Sequence, residues 1–295
     1  MKKIIILIPI YNDWKSLIKL IEEISENINI FSNFKFECFV INDSSSISQP
    51  KLLKPRNFHS LKIMNMKQNK GHARCNAFGI RHVFEKEDFD YLILMDGDGE
   101  DRPVEIKNFM EKILNNPNNS IVAKRIKRSE GIFFKLLYEI HKIITFIFTG
   151  KIINFGNYSC LTKKDVKKIF SKASLWSSYS GTLKKFVPNL NTINSTRGLR
   201  YFGPSQMSFL KLIIHSFSIV AVFKINVAIR SFLFLLILQY SSKYLGLFSI
   251  FIQILILIFN LIIFTVSFRE SENQLFKSKE NLKNIDVITH QKVEN

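Results

Sequence analysis

Four short apolar runs, at residues 3–9, 36–41, 61–66 and 91–95, recur through the first hundred residues, and each ends in polar or turn residues. They read as strands. The connections carry helical spacing, as in Leu17, Leu20, Ile21 and Ile24. Strands alternating with helices predict an α/β chain with a mostly parallel sheet flanked by helices. Residues 120–124 read as one more strand. In such a sheet, ligands bind beyond the carboxyl ends of the strands. The polar clusters fall at those ends: Tyr11-Asn12-Asp13, Asp43 through Ser46, Asn69-Lys70-Gly71, and Asp96 through Asp101. One such cluster is an ordinary loop, whereas four together predict a nucleotide-sized cleft.

The last cluster is the most informative. A hydrophobic strand delivers Asp96, Asp98 and Asp101 into one loop, with Gly97 and Gly99 permitting a tight backbone. Carboxylates this concentrated repel one another unless a cation lies between them. Hard oxygen donors suit Mg²⁺ or Mn²⁺, and such an ion would in turn bind a diphosphate. An acidic surface turn is the alternative.

Residues 244–268 form a run of 25 without a charge. At about 1.5 Å per helical residue, that length crosses a hydrocarbon core of roughly 30 Å. The preceding segment, 231–242, is apolar but short. It becomes span-length if it begins near Ile225 and Arg230 snorkels to the interface. Lys224 and Arg230 before the first segment and Arg269 after the second favour a hairpin with both ends cytoplasmic. Residues 133–148 read as an amphipathic helix that suits either core packing or the membrane interface. The organisation expected is a catalytic domain over 1–215, a membrane-associated segment over 216–269 with spans at about 225–242 and 245–268, and a polar, weakly ordered cytoplasmic tail over 270–295.

Charge follows the same division. Residues 120–269 carry 21 Lys and Arg against three acids, while the remainder carries 21 of each, so the formal net charge of +18 sits beside the apolar segments. A cationic surface there favours anionic headgroups and phosphorylated substrates, and the same charges serve as a topology signal. Cys38, Cys75 and Cys160 have no CxxC spacing and read as core thiols in a reducing compartment. The opening MKKIIILIPIYND imitates a secretory signal, but its apolar run is short and interrupted by Pro9, so a buried first strand is expected.

These motifs, in this order, resemble the family 2 glycosyltransferases of the GT-A fold, and within them the dolichyl-phosphate mannose synthases and bacterial polyprenyl-phosphate glycosyltransferases. The resemblance runs from about Lys3 to Lys224. Ile8-Pro9-Ile10-Tyr11-Asn12-Asp13 is similar to the family's opening strand and loop, with Asp13 where Glu is usual. Ile41-Asn42-Asp43-Ser44-Ser45 resembles its second element, and Asn69-Lys70-Gly71-His72-Ala73 its Asn-x-Gly helix start. Asp96 through Pro103 is similar to its DxDxxDxP run. Arg200 through Met207 resembles the RxxGxS element that closes on the donor phosphates, and Ser216-Phe217-Ser218 resembles the motif leading into the membrane hairpin. Ala123 stands where a Gly usually precedes a basic pair, with Arg125 and Arg128 retained.

The resemblance implies a nucleotide-sugar donor held by Pro9, Tyr11, Asp13, Asp43, Asn69, Gly71 and Asp96, a divalent metal held by Asp96, Asp98 and Asp101, and catalysis by Asp98, Arg125, Arg200 and Ser205. It also implies inverting transfer to a polyprenyl phosphate for cell-surface glycan or glycolipid assembly. The expected setting is a multi-pass protein of the inner membrane with its catalytic domain facing the cytoplasm. A homo-oligomer is compatible with this, and nucleic acid is not an expected partner.

An absence in the residues points the same way. A hydroxyl acceptor usually needs a general base, and no Asp or Glu occurs between Asp165 and Glu270. A phosphate monoester is already ionised at pH 7 and needs none. The rival readings are a lipid-linked saccharide whose hydroxyl attacks, and a catalytically silent nucleotide-sugar-binding membrane protein. His72, beside the nucleotide loop, reads as a helix-start residue, with a phosphate contact as the alternative, and His141 and His215 lie among apolar residues and read as making ordinary hydrogen bonds.

Overall fold

The computed structural model describes residues 1–127, 132–204 and 208–289. The first half contains β1 (Lys2–Ile10), α1 (Trp14–Ile28), β2 (Phe34–Asn42), β3 (Ser60–Met66), α2 (His72–Lys86), β4 (Tyr91–Leu94) and α3 (Ile106–Asn115). There follow β5 (Ile121–Lys127), α4 (Ile132–Thr149), β6 (Phe155–Thr162), α5 (Lys163–Ile169), α6 (Tyr179–Phe186) and β7 (Asn191–Thr196). The chain ends with α7 (Phe209–Ala221), α8 (Lys224–Tyr240), α9 (Ser242–Leu245), α10 (Leu247–Ser267), α11 (Glu272–Lys277) and β8 (Leu282–Ile288). Among the described residues the strands form one eight-stranded sheet in the order β7-β5-β6-β4-β1-β2-β3-β8. β1 runs parallel to β2 and β4, and β2 runs parallel to β3, whereas β6 and β8 run antiparallel to their neighbours.

β1 shows why its sequence is apolar throughout. Ile4, Ile6 and Ile8 point into a core shared with Leu17, Leu20 and Ile24 of α1 and Phe109 of α3. Ile5 and Leu7 point the opposite way, into a core with Phe78, Ile80 and Val83 of α2. Both faces are therefore sealed, and burying each such side chain contributes roughly 1.5–3 kcal/mol. The five expected strands form at the expected places. β6, β7 and β8 are additional.

β8 corrects the expectation of a weakly ordered tail over 270–295. Six of its seven residues pair antiparallel with β3, and α11 before it inserts Leu275, fully buried, into the core beneath α2. The strand escaped notice because it is an edge strand whose side chains are mostly solvent-facing, which leaves no apolar alternation to read. Residues 272–288 therefore belong to the sheet domain, although the apolar helices separate them from it in sequence.

α8 and α10 lie side by side and antiparallel. Ser249 Oγ donates to Leu238 O at one end (2.8 Å), and Lys224 Nζ reaches Glu270 Oε2 at the other (3.0 Å). The helix beginning at Leu247 is long and apolar enough to cross a membrane, and α7 with α8 passes the same test only as a pair bent by 83°. Arg230 lies in the middle of α8. Its guanidinium donates to Ile147 O (2.9 Å) and lies against Gly150, capping the carboxyl end of α4. Phe148 of α4 in turn stacks on Phe259 of α10, with ring centroids 4.4 Å apart, so α4 is bound into the apolar helices.

Candidate active site

The loops after β1, β2, β3 and β4 meet at the carboxyl edge of the sheet. Asn12 adopts a left-handed backbone (φ 55°), which Asn tolerates better than most residues. Its amide donates to Ser45 Oγ (2.8 Å) and its Oδ1 accepts from Ile47 N (3.1 Å), tying the first loop to the second. Ser44 is left-handed as well (φ 60°). Asp43 is buried and accepts from the amides of Lys70 (3.0 Å) and Gly71 (2.8 Å), tying the second loop to the third. Burial pushes its carboxyl up even though both amides oppose the shift. Gly71, at φ 89°, makes the turn into α2. Tyr11 and Asn69 are exposed at the rim.

The fourth loop is the acidic one. Gly97 packs so closely on β1 that a Cβ would come 3.0 Å from Pro9 O. Asp96 accepts from Asn157 Nδ2 on β6 (3.1 Å) and faces His72 Nε2 at the start of α2 (3.1 Å). Asp98 receives Glu100 N on one oxygen (3.0 Å) and Arg200 Nη1 on the other (2.6 Å). Asp101, 4% exposed, turns inward and accepts from Asp96 N (2.9 Å).

The segment after β7 folds down over this loop. Gly198 N donates to Glu100 O (2.8 Å), Tyr201 N to Asp98 O (3.0 Å), and Arg197 pairs with Glu100. Arg200 bridges two loops, with Nη2 reaching Asp13 Oδ2 (3.1 Å) while Nη1 holds Asp98. Arg125 enters from β5 against Gly156 of β6, where an added Cβ would lie 2.7 Å from its Nη2.

The charges here are mutually dependent. Burial opposes ionisation of Asp96, but His72, Asn157 and Arg125 outweigh it and hold the carboxyl below the usual range. Asp98 is pushed up to about 6 and Asp101 to about 7, first by burial and then by the charge of Asp96. Burial also opposes a charged His72, yet the facing carboxylates raise its pKa.

Among the described residues no three His, Cys, Asp or Glu side chains form a ready-made metal cage. Asp101 is almost fully buried, whereas Asp96 and Asp98 stay partly exposed at the cleft. That donor set fits an ion bound through one or two carboxylates plus substrate phosphates, the usual manner of Mg²⁺. It does not fit a dedicated all-protein site.

The structure therefore gathers Pro9, Asp13, Asp43, Gly71, Asp96, Asp98, Asp101 and Arg200 around one cleft edge, with Arg125 beside it. Ser205 and Arg128 lie outside the described residues. The sequence reading missed Asn157 and gave no role of their own to Asn12 and His72, although both stand in the motifs it named. Asn157 gave no signal because its strand was not recognised, whereas His72 stands next to the glycine that starts α2.

Comparison with known proteins agrees with this geometry. The family model described as glycosyl transferase family 2 matches residues 5–178. The chain is 26% identical over 224 residues to the undecaprenyl-phosphate 4-deoxy-4-formamido-L-arabinose transferases of Salmonella choleraesuis (strain SC-B67) and Salmonella paratyphi B. That match covers 72% of this chain but only 64% of the relatives, less than two thirds of their length. Among solved structures it is similar to glucosyl-3-phosphoglycerate synthase from Mycobacterium tuberculosis in complex with Mn²⁺, UDP-glucose and phosphoglyceric acid. The TM-score is 0.53 at 9% identity, covering 77% of this chain and 80% of that one. A second mycobacterial protein gives 0.52 at 12% identity, covering 77% and 75%. The likeness identifies the architecture as GT-A-like.

Proposed function

Because the chain belongs to glycosyl transferase family 2, we propose that it transfers a sugar from a nucleotide-sugar donor to a polyprenyl phosphate at a membrane face, with inversion. The four tied loops receive the nucleotide. Asp96 and Asp98 would hold a divalent cation, Mg²⁺ or Mn²⁺, which when bound neutralises charge on the diphosphate. Arg200 faces the same position from the closing segment and adds positive charge as the diphosphate departs, with Arg125 beside it for the second phosphate. A phosphate oxygen of the acceptor forms the new bond to the anomeric carbon, and the nucleoside diphosphate leaves with the electron pair of the bond that breaks.

The observation carrying this reading is the Arg200 bridge between Asp13 and Asp98, which sets a guanidinium and the acidic loop at one cleft mouth. The nature of the acceptor is supported by how the nearby acids are spent. Asp165 is buried, accepts from Ser120 Oγ (2.6 Å) and pairs with Lys168, remote from the cleft. Glu105 accepts from Thr196 N (2.9 Å) and Glu100 is paired with Arg197. None is placed to deprotonate a hydroxyl, and a lipid phosphate requires no such step. The names of the Salmonella relatives, which specify undecaprenyl phosphate, support the same class.

The membrane arrangement we propose is two crossings, α8 and α10, with the sheet domain on the cytoplasmic side. It is supported by β8, since a chain that returns to its own sheet must leave and re-enter on one face. The test is incubation of membranes carrying the protein with a panel of radiolabelled nucleotide sugars and either polyprenyl phosphate or a saccharide-terminated lipid, followed by lipid extraction. Label in the polyprenyl-phosphate sugar is the expected product. Label only in the saccharide lipid overturns the acceptor assignment.

A further inference from the structure

The segment after the apolar helices touches the nucleotide loops through side chains as well as through the sheet. The carboxamide of Asn281 grips both peptide groups of Gln68, its Oδ1 accepting from Gln68 N (3.0 Å) and its Nδ2 donating to Gln68 O (2.9 Å). Its backbone carbonyl accepts from Lys67 N (2.7 Å). Residues 67–70 are exposed and lie outside any helix or strand. They are held on one side by Asp43 and on the other by Asn281.

A second connection runs from β8. Asp286 Oδ2 accepts from Asn65 Nδ2 (2.8 Å), Asn65 Oδ1 accepts from Asn42 Nδ2 (2.8 Å), and Asn42 Oδ1 accepts from Ser45 N (3.0 Å). Ser45 Oγ then accepts from Asn12 N (2.8 Å). Each donor faces an acceptor, so one ladder crosses β8, β3 and β2 and ends on the loop after β1. Sheet extension alone requires only main-chain pairing, and these side-chain bonds go beyond it. Chains of this kind hold their members more rigidly than isolated bonds do.

We propose that Asn281 and Asp286 are positioning residues for the nucleotide site, supplied from beyond the membrane segment. They set the backbone of residues 67–71 and 43–46, and through them the donor pocket. The inference rests on the nucleotide-sugar reading above for what fills the pocket, but not for the clamp itself. α11 anchors the segment independently, since Trp176 Nε1 donates to Gln274 Oε1 (2.8 Å) and Leu275 is buried. Loss of the clamp therefore leaves the fold in place.

The experiment uses the full chain in detergent and compares wild type with Asn281→Ala, Asp286→Leu, Asp286→Asn and the solvent-facing control Val287→Ala. Amide hydrogen exchange is read at residues 45 and 67–71, and affinity is measured for UDP, GDP, CDP and ADP, each with Mn²⁺. Asn281→Ala is expected to speed exchange at Gln68, Lys70 and Gly71 at least tenfold. It should weaken the preferred nucleotide about five- to tenfold, as expected for lost hydrogen bonds, with kcat at saturating donor unchanged. Asp286→Leu should do the same at Ser45, Asp286→Asn, which keeps an acceptor for Asn65 but loses the one that Asn284 uses (2.6 Å), should fall between Asp286→Leu and wild type, and Val287→Ala should match wild type. Exchange and affinity within twofold of wild type in both Asn281→Ala and Asp286→Leu overturn the proposal, as does a fall in kcat and melting temperature at unchanged affinity. Should wild type bind none of the four diphosphates, the proposed nucleotide-sugar donor reading fails, and the exchange data still decide the clamp.

Discussion

Residues 1–119 and residues 120–269 use similar side chains against different surroundings. In the first region the apolar residues close two cores, and those left exposed, such as Ile30, Leu53 and Leu114, are isolated points. In the second, exposed apolar residues form whole helix faces: Leu136, Ile140, Ile143 and Ile147 on α4, and Ile229, Phe232, Leu233, Leu236 and Ile237 on α8. Scattered exposed hydrophobics are ordinary, whereas contiguous faces mark a surface meant for another phase. Charge divides in the same place, with 21 Lys and Arg against three acids in the second region. On the proposed reading the donor side is built by burial, and the acceptor side by leaving apolar faces open beside cations.

The largest effect expected on the donor side comes from Asp98→Asn, which keeps shape but removes a charge at the cleft. Transfer should fall by about 10²-fold or more, the scale on which single electrostatic contacts act in catalysis. Isothermal titration should show that Mn²⁺ no longer strengthens nucleotide binding. Full activity at saturating Mn²⁺ would move the chemistry away from this loop.

On the acceptor side Arg200→Ala and Asp165→Ala separate the two proposed acceptors. Arg200→Ala should lower kcat by about 10²-fold, because it removes the cation bridging Asp13 and Asp98. Asp165→Ala should cost about 1–3 kcal/mol of stability, since Ser120 loses its acceptor, yet leave turnover per folded molecule intact. If Asp165→Ala instead abolishes transfer in protein that melts normally, a carboxylate base is needed after all.

The division also predicts what can be cut away. Excising 225–268 and joining the ends with a short Gly-Ser linker is feasible because Lys224 and Glu270 already meet. The product should bind nucleotide within about threefold of wild type, because β8 and Asn281 stay in place, although α4 loses its contacts with Phe259 and Arg230. Truncation of 225–295 should instead weaken binding about tenfold or more, because it removes β8 and Asn281 as well. Equal affinity in the two proteins would reduce the returning segment to a simple edge strand.

The donor side was legible for a physical reason. β1 and β4 are buried on both faces and β2 and β3 are mostly apolar, and each of the four ends in a chemically distinct loop. Asp43, Asp96, Asp98 and Gly71 stand at those ends and could be read directly. Asn157 and Asn281 could not, because β6 and β8 carry mixed sequences whose strand character comes from their neighbours. The role of Asp101 was hidden for another reason. Three carboxylates in one loop look equivalent in sequence, and only the backbone path shows that one of them turns back to Asp96 N.

The smallest effect concerns the seam between the two regions, where Gly156 on β6 makes room for Arg125 on β5. An alanine Cβ there would lie 2.7 Å from Arg125 Nη2, too close to stand. The obstructing atom is the end of a flexible side chain, so the guanidinium can move away while the strand stays. Gly79 offers the contrast: its Cβ would lie 2.2 Å from Ile41 Cδ1 and 2.7 Å from Leu7 Cδ2, inside a filled core. Gly79→Ala should therefore lower stability by about 1–3 kcal/mol, as overpacking does. Gly156→Ala should leave the melting temperature nearly unchanged. Its effect should appear as a rise of about threefold to tenfold in the KM for polyprenyl phosphate, the range expected when one cation of a phosphate site is displaced but not removed. Donor affinity should stay level, because Asp43, Gly71 and the acidic loop are untouched. A matching loss of donor affinity would place Arg125 on the nucleotide side of the cleft. No change in either constant would make it a surface cation, and the acceptor phosphate would then rest on Arg200 alone.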